Sequence, residues 1–288
     1  VTFKLKSLLI SIFLTNKLSK KILGKLFYFL EEASIMNLGF YNQKRNLVNK
    51  YSKHDIKLAK DKIGIFAGCA SDIFQKNVAN DCIEVLQKNG VDSEIIQNVE
   101  CCGSLDFNSG RIKKGLEYNQ HANNEFCSGK YEKIIGYASG CSSFINKRSD
   151  AKIYQDATSF ILDLIQNKRN EFKITKKNIC IHKPCTSKSA EIDFKKLIDI
   201  LKIIPDLNIF TFEDNYCCGA GAQNLIHNSE NSINIIKPKI EFIKSNNIDL
   251  ILTYNIGCSL NFINSININN MKQVEVKHPI TFLNERLK

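Results

Sequence analysis

One pattern of four cysteines occurs twice in this 288-residue chain. Cys69 is followed by 31 residues and then the pair Cys101-Cys102 with Gly103 directly after it; 38 residues separate Cys102 from Cys141. Cys185 is followed by 31 residues and then Cys217-Cys218 with Gly219; 39 residues separate Cys218 from Cys258. The second set is the first displaced by 116 positions, with one residue inserted before the last cysteine. Eight of the eleven cysteines obey that shift. The chain is therefore a duplicated unit, and thiols kept at fixed places in such a unit point to metal binding or redox work.

The segments between the thiols alternate in type. Ile63–Gly68 (IGIFAG) is a short apolar strand ending before Cys69, and Val78, Cys82, Val85 and Leu86 mark a helix that Gly90 can end. Val91–Ile96 alternates as a strand and leads to the first Cys-Cys-Gly. A helix over Arg111–Phe126 follows, then the strand Lys133–Ser139 before Cys141. The second half repeats this order: a strand at Ile179–His182 before Cys185, a helix at Phe194–Ile203, a strand at Asn208–Phe212 before Cys217, and a helical stretch kinked or broken at Pro238. The strand Asp249–Tyr254 then leads to Cys258, and the segments Ala157–Leu164 and His278–Leu287 correspond to one another. Strands alternating with helices predict an α/β fold with mostly parallel sheets. Such sheets place their sites at the carboxyl ends of the strands, where the four thiols of each half can converge. The expected organisation is a helical arm over residues 1–59, a first unit over 60–170 and a second over 171–288.

Four convergent thiolates form a soft site, suited to iron–sulfur clusters, zinc or Cu(I). Structural zinc favours close Cys-x2–4-Cys knuckles, and none of the eight repeat cysteines is spaced so. Adjacent cysteines on a strand would face opposite ways, so the backbone must turn at each pair. Gly103 and Gly219 supply that turn, and their N–H groups can approach a sulfur-rich anion. An iron–sulfur site is the expectation, with zinc and a vicinal dithiol switch as alternatives. Cys82 and Cys180 read as core and Cys127 as structural. His182 and His278, near second-half cysteines, read as packing or hydrogen-bonding residues, and Asp106 and Asn108 as shaping the loop after the first pair. No Gly-x-Gly-x-x-Gly follows a strand, so the sequence shows no flavin or nicotinamide fingerprint.

Composition narrows the partners. The formal net charge is +11, but Lys is scattered through every segment, without the clustered Arg, Lys and aromatics of a nucleic-acid face. Nucleic acid is therefore not an expected partner. An odd total of eleven cysteines fits a reducing compartment better than a disulfide framework. Residues Ser7–Thr15 are apolar, but no small-residue cleavage site follows them, so a signal peptide is not expected.

The doubled strand-Cys, Cys-Cys-Gly, strand-Cys unit resembles the CCG or cysteine-rich domain family, which includes the cysteine-rich subunit of heterodisulfide reductase and the iron–sulfur proteins of lactate and glycolate oxidation. The stretches ECCGSLDFNSG, YASGCSSF, YCCGAGAQN and TYNIGCSLNF are most similar to the glycolate oxidase (glycolate dehydrogenase) iron–sulfur subunit. The resemblance covers about residues 60 to 288 and implies two pseudo-symmetric Rossmann-like units. It implies iron–sulfur clusters of the 4Fe–4S type, cubane or non-cubane, held by Cys69, Cys101, Cys102, Cys141, Cys185, Cys217, Cys218 and Cys258. It further implies an oxidoreductase subunit that does not oxidise substrate by itself. A flavin-containing partner subunit would take the hydride, electrons would pass on to quinone or another carrier, and the place would be cytoplasmic, with peripheral attachment to the inner membrane face as an option. Two departures stand out. The Cys-x-x-Cys that ends each unit in many members has Ala138 and Asn255 at its first position here. The ferredoxin-like module that precedes the glycolate oxidase unit is not seen, so the chain resembles the C-terminal part of such a subunit. The alternatives are a thiol–disulfide catalytic subunit like that of heterodisulfide reductase, and a non-redox protein with two structural zinc sites.

Overall fold

The computed structural model describes residues 62–148, 153–212, 216–221 and 223–288. The expected helical arm over residues 1–59 lies outside them.

Two four-stranded sheets form from the two halves. In the first, β1 (Ile63–Phe66), β2 (Ser93–Ile95), β3 (Lys133–Gly136) and β4 (Tyr154–Asp156) lie in the order β2-β1-β3-β4, every pair parallel. In the second, β5 (Lys177–Ile181), β6 (Leu207–Thr211), β7 (Leu250–Leu252) and β8 (Glu275–Lys277) repeat it as β6-β5-β7-β8. The central strands β1 and β7 are buried at every residue, as parallel strands covered by helices on both faces must be. The shift of 116 carries Ile63 onto Ile179, while strand pairing matches Lys133 to Leu250 through a shift of 117, so the inserted residue lies before β7.

In order along the chain the first half has the helices α1 (Cys69–Phe74), α2 (Lys76–Lys88), α3 (Ser104–Asn108), α4 (Ile112–Phe126), α5 (Ser139–Asn146) and α6 (Ala157–Lys168). The second has α7 (Phe194–Leu201), α8 (Asn224–His227), α9 (Ser229–Ser245), α10 (Ile256–Ile268) and α11 (Pro279–Arg286). The break expected at Pro238 does not occur: α9 runs through it, with Ile236, Ile240 and Ile243 buried in the second core. Packing of that apolar face outweighs the lost N–H.

The two halves are joined by exchanged helices. α11 packs on α2 of the first half, and α6 of the first half packs on α7 of the second. One apolar core therefore contains Ile65, Leu86 and Ile161 together with Ile179, Leu197 and Leu283. Polar contacts fix the seam. The Asn284 amide donates to Asp81 at 3.0 Å and to Glu84 at 2.7 Å, and Ser159 donates to the Glu191 carbonyl at 2.9 Å. Both exchanged helices are capped at corresponding positions: the Asp156 carboxylate accepts from the Thr158 N–H, and the His278 imidazole accepts from the Ile280 N–H.

Candidate metal centre

The order β2-β1-β3-β4 reverses direction between β1 and β3, and β6-β5-β7-β8 does so between β5 and β7. At such a switch point the loops leaving the two strands part and open a crevice at their carboxyl ends. Cys69 follows β1 and Cys141 follows β3; Cys185 follows β5 and Cys258 follows β7. The doubled spacing thus puts the first and last thiol of each set on either side of a crevice, and the Cys-Cys pair comes in from the loop after the neighbouring edge strand.

Each pair turns as its glycine allows. Gly103 has φ 85 and Gly219 φ 82, a left-handed conformation that side chains rarely adopt. A Cβ on Gly103 would lie 2.0 Å from the Gly115 carbonyl oxygen, and one on Gly219 2.7 Å from that of Ser232. Tight packing against α4 and α9 therefore also demands glycine. The Gly103 N–H donates to the Cys101 Sγ at 3.3 Å and the Gly219 N–H to the Cys217 Sγ at 3.4 Å. Behind the second pair, the Asn261 amide donates to the Cys218 carbonyl at 2.6 Å.

Sulfurs meet within each set. Cys101 Sγ is 3.6 Å from Cys69 Sγ, and Cys218 Sγ is 2.8 Å from Cys258 Sγ. Cys141 and Cys258 occupy the first turns of α5 and α10. Asn255 caps α10: its side-chain oxygen accepts from Gly257 and Cys258, and its amide donates across the seam to Ser139 at 3.1 Å and, within its own half, to Thr186 at 3.2 Å.

All eight repeat cysteines line one open cavity of about 490 Å³ between the halves, with apolar side chains such as Phe144, Leu105 and Leu260 and the basic residues Lys147 and Arg148 completing its wall. The sequence foretells convergence within each set. It does not foretell that the two sets share a cavity, because that depends on the helix exchange. The donor set and the space fit iron–sulfur clusters. A structural zinc ion draws four thiolates in around itself and needs no cavity, whereas a polynuclear cluster does.

The thiols differ in environment. Cys69, Cys101 and Cys102 are buried; Cys185 and Cys217 are exposed, with Cys218 and Cys258 buried behind them. The bond to Cys102, with burial, pushes the Cys101 thiol up. Cys102 is also raised: a lowering bond from Cys101 is outweighed by its bond to Cys141 and by burial. In the second set, bonds from Cys185 and Cys218 hold Cys217 well below the ordinary thiol value. Burial acts to raise Cys258, but Cys218 and then His182 outweigh it and bring it to about 6.

Outside the two thiol sets, Cys82 and Cys180 are fully buried core residues, as expected. Cys127, expected to be structural, is exposed at the end of α4. Asp106 is buried and paired with Arg111, and Asn108 bonds back to Ser104, so both shape the α3 turn. His278 is a helix cap and donates to the Tyr137 carbonyl at 2.9 Å, so both its ring nitrogens are engaged. His182 departs from a simple packing role: a ring nitrogen and the sulfurs of Cys218 and Cys258 lie within 4.8 Å of one another.

Two parallel α/β units, each carrying four thiols at its switch point, define a duplicated cysteine-rich protein. The family comparison agrees: residues 63–146 and 179–263 both match the model of the CCG cysteine-rich domain, and the chain belongs to that family. Among curated relatives, lactate utilization protein A 1 of Bacillus mycoides is 22% identical over 241 residues, which cover 78% of this chain and 97% of that protein. An uncharacterized iron-sulfur protein of Methanocaldococcus jannaschii is 29% identical over 198 residues, 67% of this chain and 39% of that one. A fumarate reductase (CoM/CoB) subunit of Methanothermobacter marburgensis is 25% identical over 233 residues, 77% of this chain and 46% of that protein. The chain spans less than half the length of these last two relatives.

Proposed function

We propose that this chain is an iron–sulfur electron-transfer protein serving the oxidation of a 2-hydroxy acid, with the hydride taken up by a flavin on a partner subunit and the electrons passed on towards quinone. The observation that carries the reading is the gathering of two four-thiol sets around one cavity. The names of the relatives support it, since they include a lactate utilization protein and iron-sulfur proteins. Lactate therefore stands beside the glycolate that the sequence resemblance implies.

Cys69, Cys101, Cys102 and Cys141 would hold one cluster and Cys185, Cys217, Cys218 and Cys258 the other. The Gly103 and Gly219 N–H groups already point at sulfur. A bound cluster supplies reversible one-electron storage. The chain's own part is to supply four thiolates per site, to keep water away from the first set by burying Cys69, Cys101 and Cys102, and to fix the separation of the sites through the seam at Ser139 and Asn255. The units are taken as residues 60–170 and 171–288, following the arm. No described helix is long and apolar enough to cross a membrane; a cytoplasmic place, with peripheral contact at the inner membrane face, completes the proposal.

The test mixes the anaerobically prepared chain with a flavin-dependent 2-hydroxy-acid dehydrogenase subunit and follows quinone reduction driven by lactate or by glycolate. Turnover should require both proteins and should fall when either Cys-Cys pair is changed. Robust oxidation by this chain alone would defeat the electron-transfer reading.

A further inference from the structure

The shift of 116 that carries Cys69 onto Cys185 carries Phe66 onto His182. Phe66 packs edge-on against Phe126, with ring centroids 5.6 Å apart, and offers the first set only hydrocarbon. His182 stands at the carboxyl end of β5 with only 2% of its surface exposed. Its ring is held edge-on between Phe262 and Phe212, at centroid distances of 5.1 and 6.0 Å, and those two rings stack on each other. These contacts hold the plane of the imidazole.

Its two nitrogens have different surroundings. Nδ1 lies 3.2 Å from the buried Thr253 hydroxyl. Nε2 is buried without a hydrogen-bond partner. Leaving a buried polar atom unsatisfied is costly, so such an atom asks for an explanation. The polarisable groups at hand are the sulfurs of Cys218 and Cys258, which lie with a ring nitrogen of His182 in a group no more than 4.8 Å across. With Thr253 donating to Nδ1, the hydrogen sits on Nε2.

We infer that His182 donates an Nε2–H hydrogen bond to sulfur at the second centre, a bond the first centre lacks because Phe66 stands in its place, and that this bond gives the second centre the higher reduction potential. The inference rests on the proposed clusters. Donation to a cluster or thiolate sulfur disperses negative charge, and the reduced cluster has more of it, so reduction is favoured. Four thiols already complete the second donor set, which makes the imidazole a positioning and tuning residue rather than a ligand.

The experiment is a potentiometric titration of the anaerobic 288-residue chain, followed by electron paramagnetic resonance, for wild type, His182→Phe and His182→Gln. Cys102→Ser and Cys218→Ser samples assign the signals to the two sites. In His182→Phe the second centre's midpoint should move to more negative potential, the first should stay, and iron and sulfide contents should match wild type. His182→Gln keeps an N–H and should fall between the two. Wild-type pulsed spectra should show an exchangeable proton with only weak nitrogen coupling. Unchanged midpoints in His182→Phe would overturn the inference. So would loss of about half the iron in both variants, or a nitrogen coupling strong enough for a bond to iron, either of which would make His182 a ligand. Wild-type protein without labile sulfide would instead remove the cluster reading on which the inference rests.

Discussion

The first and second units present the same four thiols from the same strand ends, yet enclose them differently. Cys69, Cys101 and Cys102 are buried around α1 and α3, while Cys185 and Cys217 are exposed. Phe66 borders one set and His182 the other. Asp156 caps the last helix of the first unit and His278 the last helix of the second. The positions of the thiols follow from sheet topology, which duplication preserved. The surroundings follow from individual side chains, which have diverged. Two centres of one design can thus differ in solvent access and hydrogen bonding, the factors that set potential in clusters of one type.

The largest effect that could break this comparison is loss of one site. Cys102→Ser should remove about half the iron and sulfide and leave the second centre's spectrum in place, and Cys218→Ser should do the reverse, by metal analysis and electron paramagnetic resonance. If either change empties both sites, the shared cavity couples them and two independent centres are the wrong description.

The seam comes next. Leu283 on α11 is fully buried in the core common to both halves. Leu283→Ala should cost about 2–5 kcal/mol in urea unfolding. A single cooperative transition would show that the exchanged helices bind the units into one folding body. Two separated transitions would show that they do not.

The paired caps should respond to pH in opposite senses. Burial, against the bond to the Tyr137 carbonyl, lowers His278 to about 4 from an ordinary 6.5. The unfolded chain then binds the extra proton between those values, so this residue's contribution is present above pH 6.5 and is lost as pH falls towards 4. Burial raises Asp156 to about 6 from 3.8, although the Ser142 and Thr158 bonds act to lower it. Its contribution is present below pH 3.8 and is lost as pH rises through 6. Asp156→Asn should therefore be more stable than wild type at about pH 7–8, and His278→Asn should unfold less readily than wild type on acidification, relative to its own stability at about pH 8. Each effect should be on the order of 1–3 kcal/mol. Parallel responses from the two variants would contradict the opposed protonation.

Smallest is the effect of a cysteine outside the repeat. Cys82 is wholly buried on α2, and burial pushes its thiol far up. Cys82→Ala should cost about 1 kcal/mol of packing and leave iron content intact. Loss of a cluster's iron would put the ligand assignment in error.

Much of this architecture is legible in the sequence because it is local. Ile63–Phe66 and Leu250–Leu252 are continuous apolar strands, and the glycine after each cysteine pair signals a left-handed turn. The edge strands β4 and β8 escape such a reading: three residues such as Tyr154–Asp156 give no period. Of the kink or break expected at Pro238, the break does not occur, because the burial of Ile236 and Ile240 overrides local propensity. The common cavity and the environment of His182 depend on contacts between residues far apart in the chain. His182 is 71 residues from Thr253, and Asp81 is 203 from Asn284. No pattern in a single sequence encodes such pairings. The one hint at His182 is its register with Phe66.

Beneath the comparison of the two units lies the claim that the eight repeat thiols hold iron and sulfur. The direct measurement is iron, zinc and acid-labile sulfide on protein made and purified without oxygen, together with its absorption spectrum. The predicted result is a brown protein with iron and labile sulfide in near-equal amounts, about twice what either Cys102→Ser or Cys218→Ser retains. Colourless protein with stoichiometric zinc and no labile sulfide would contradict it.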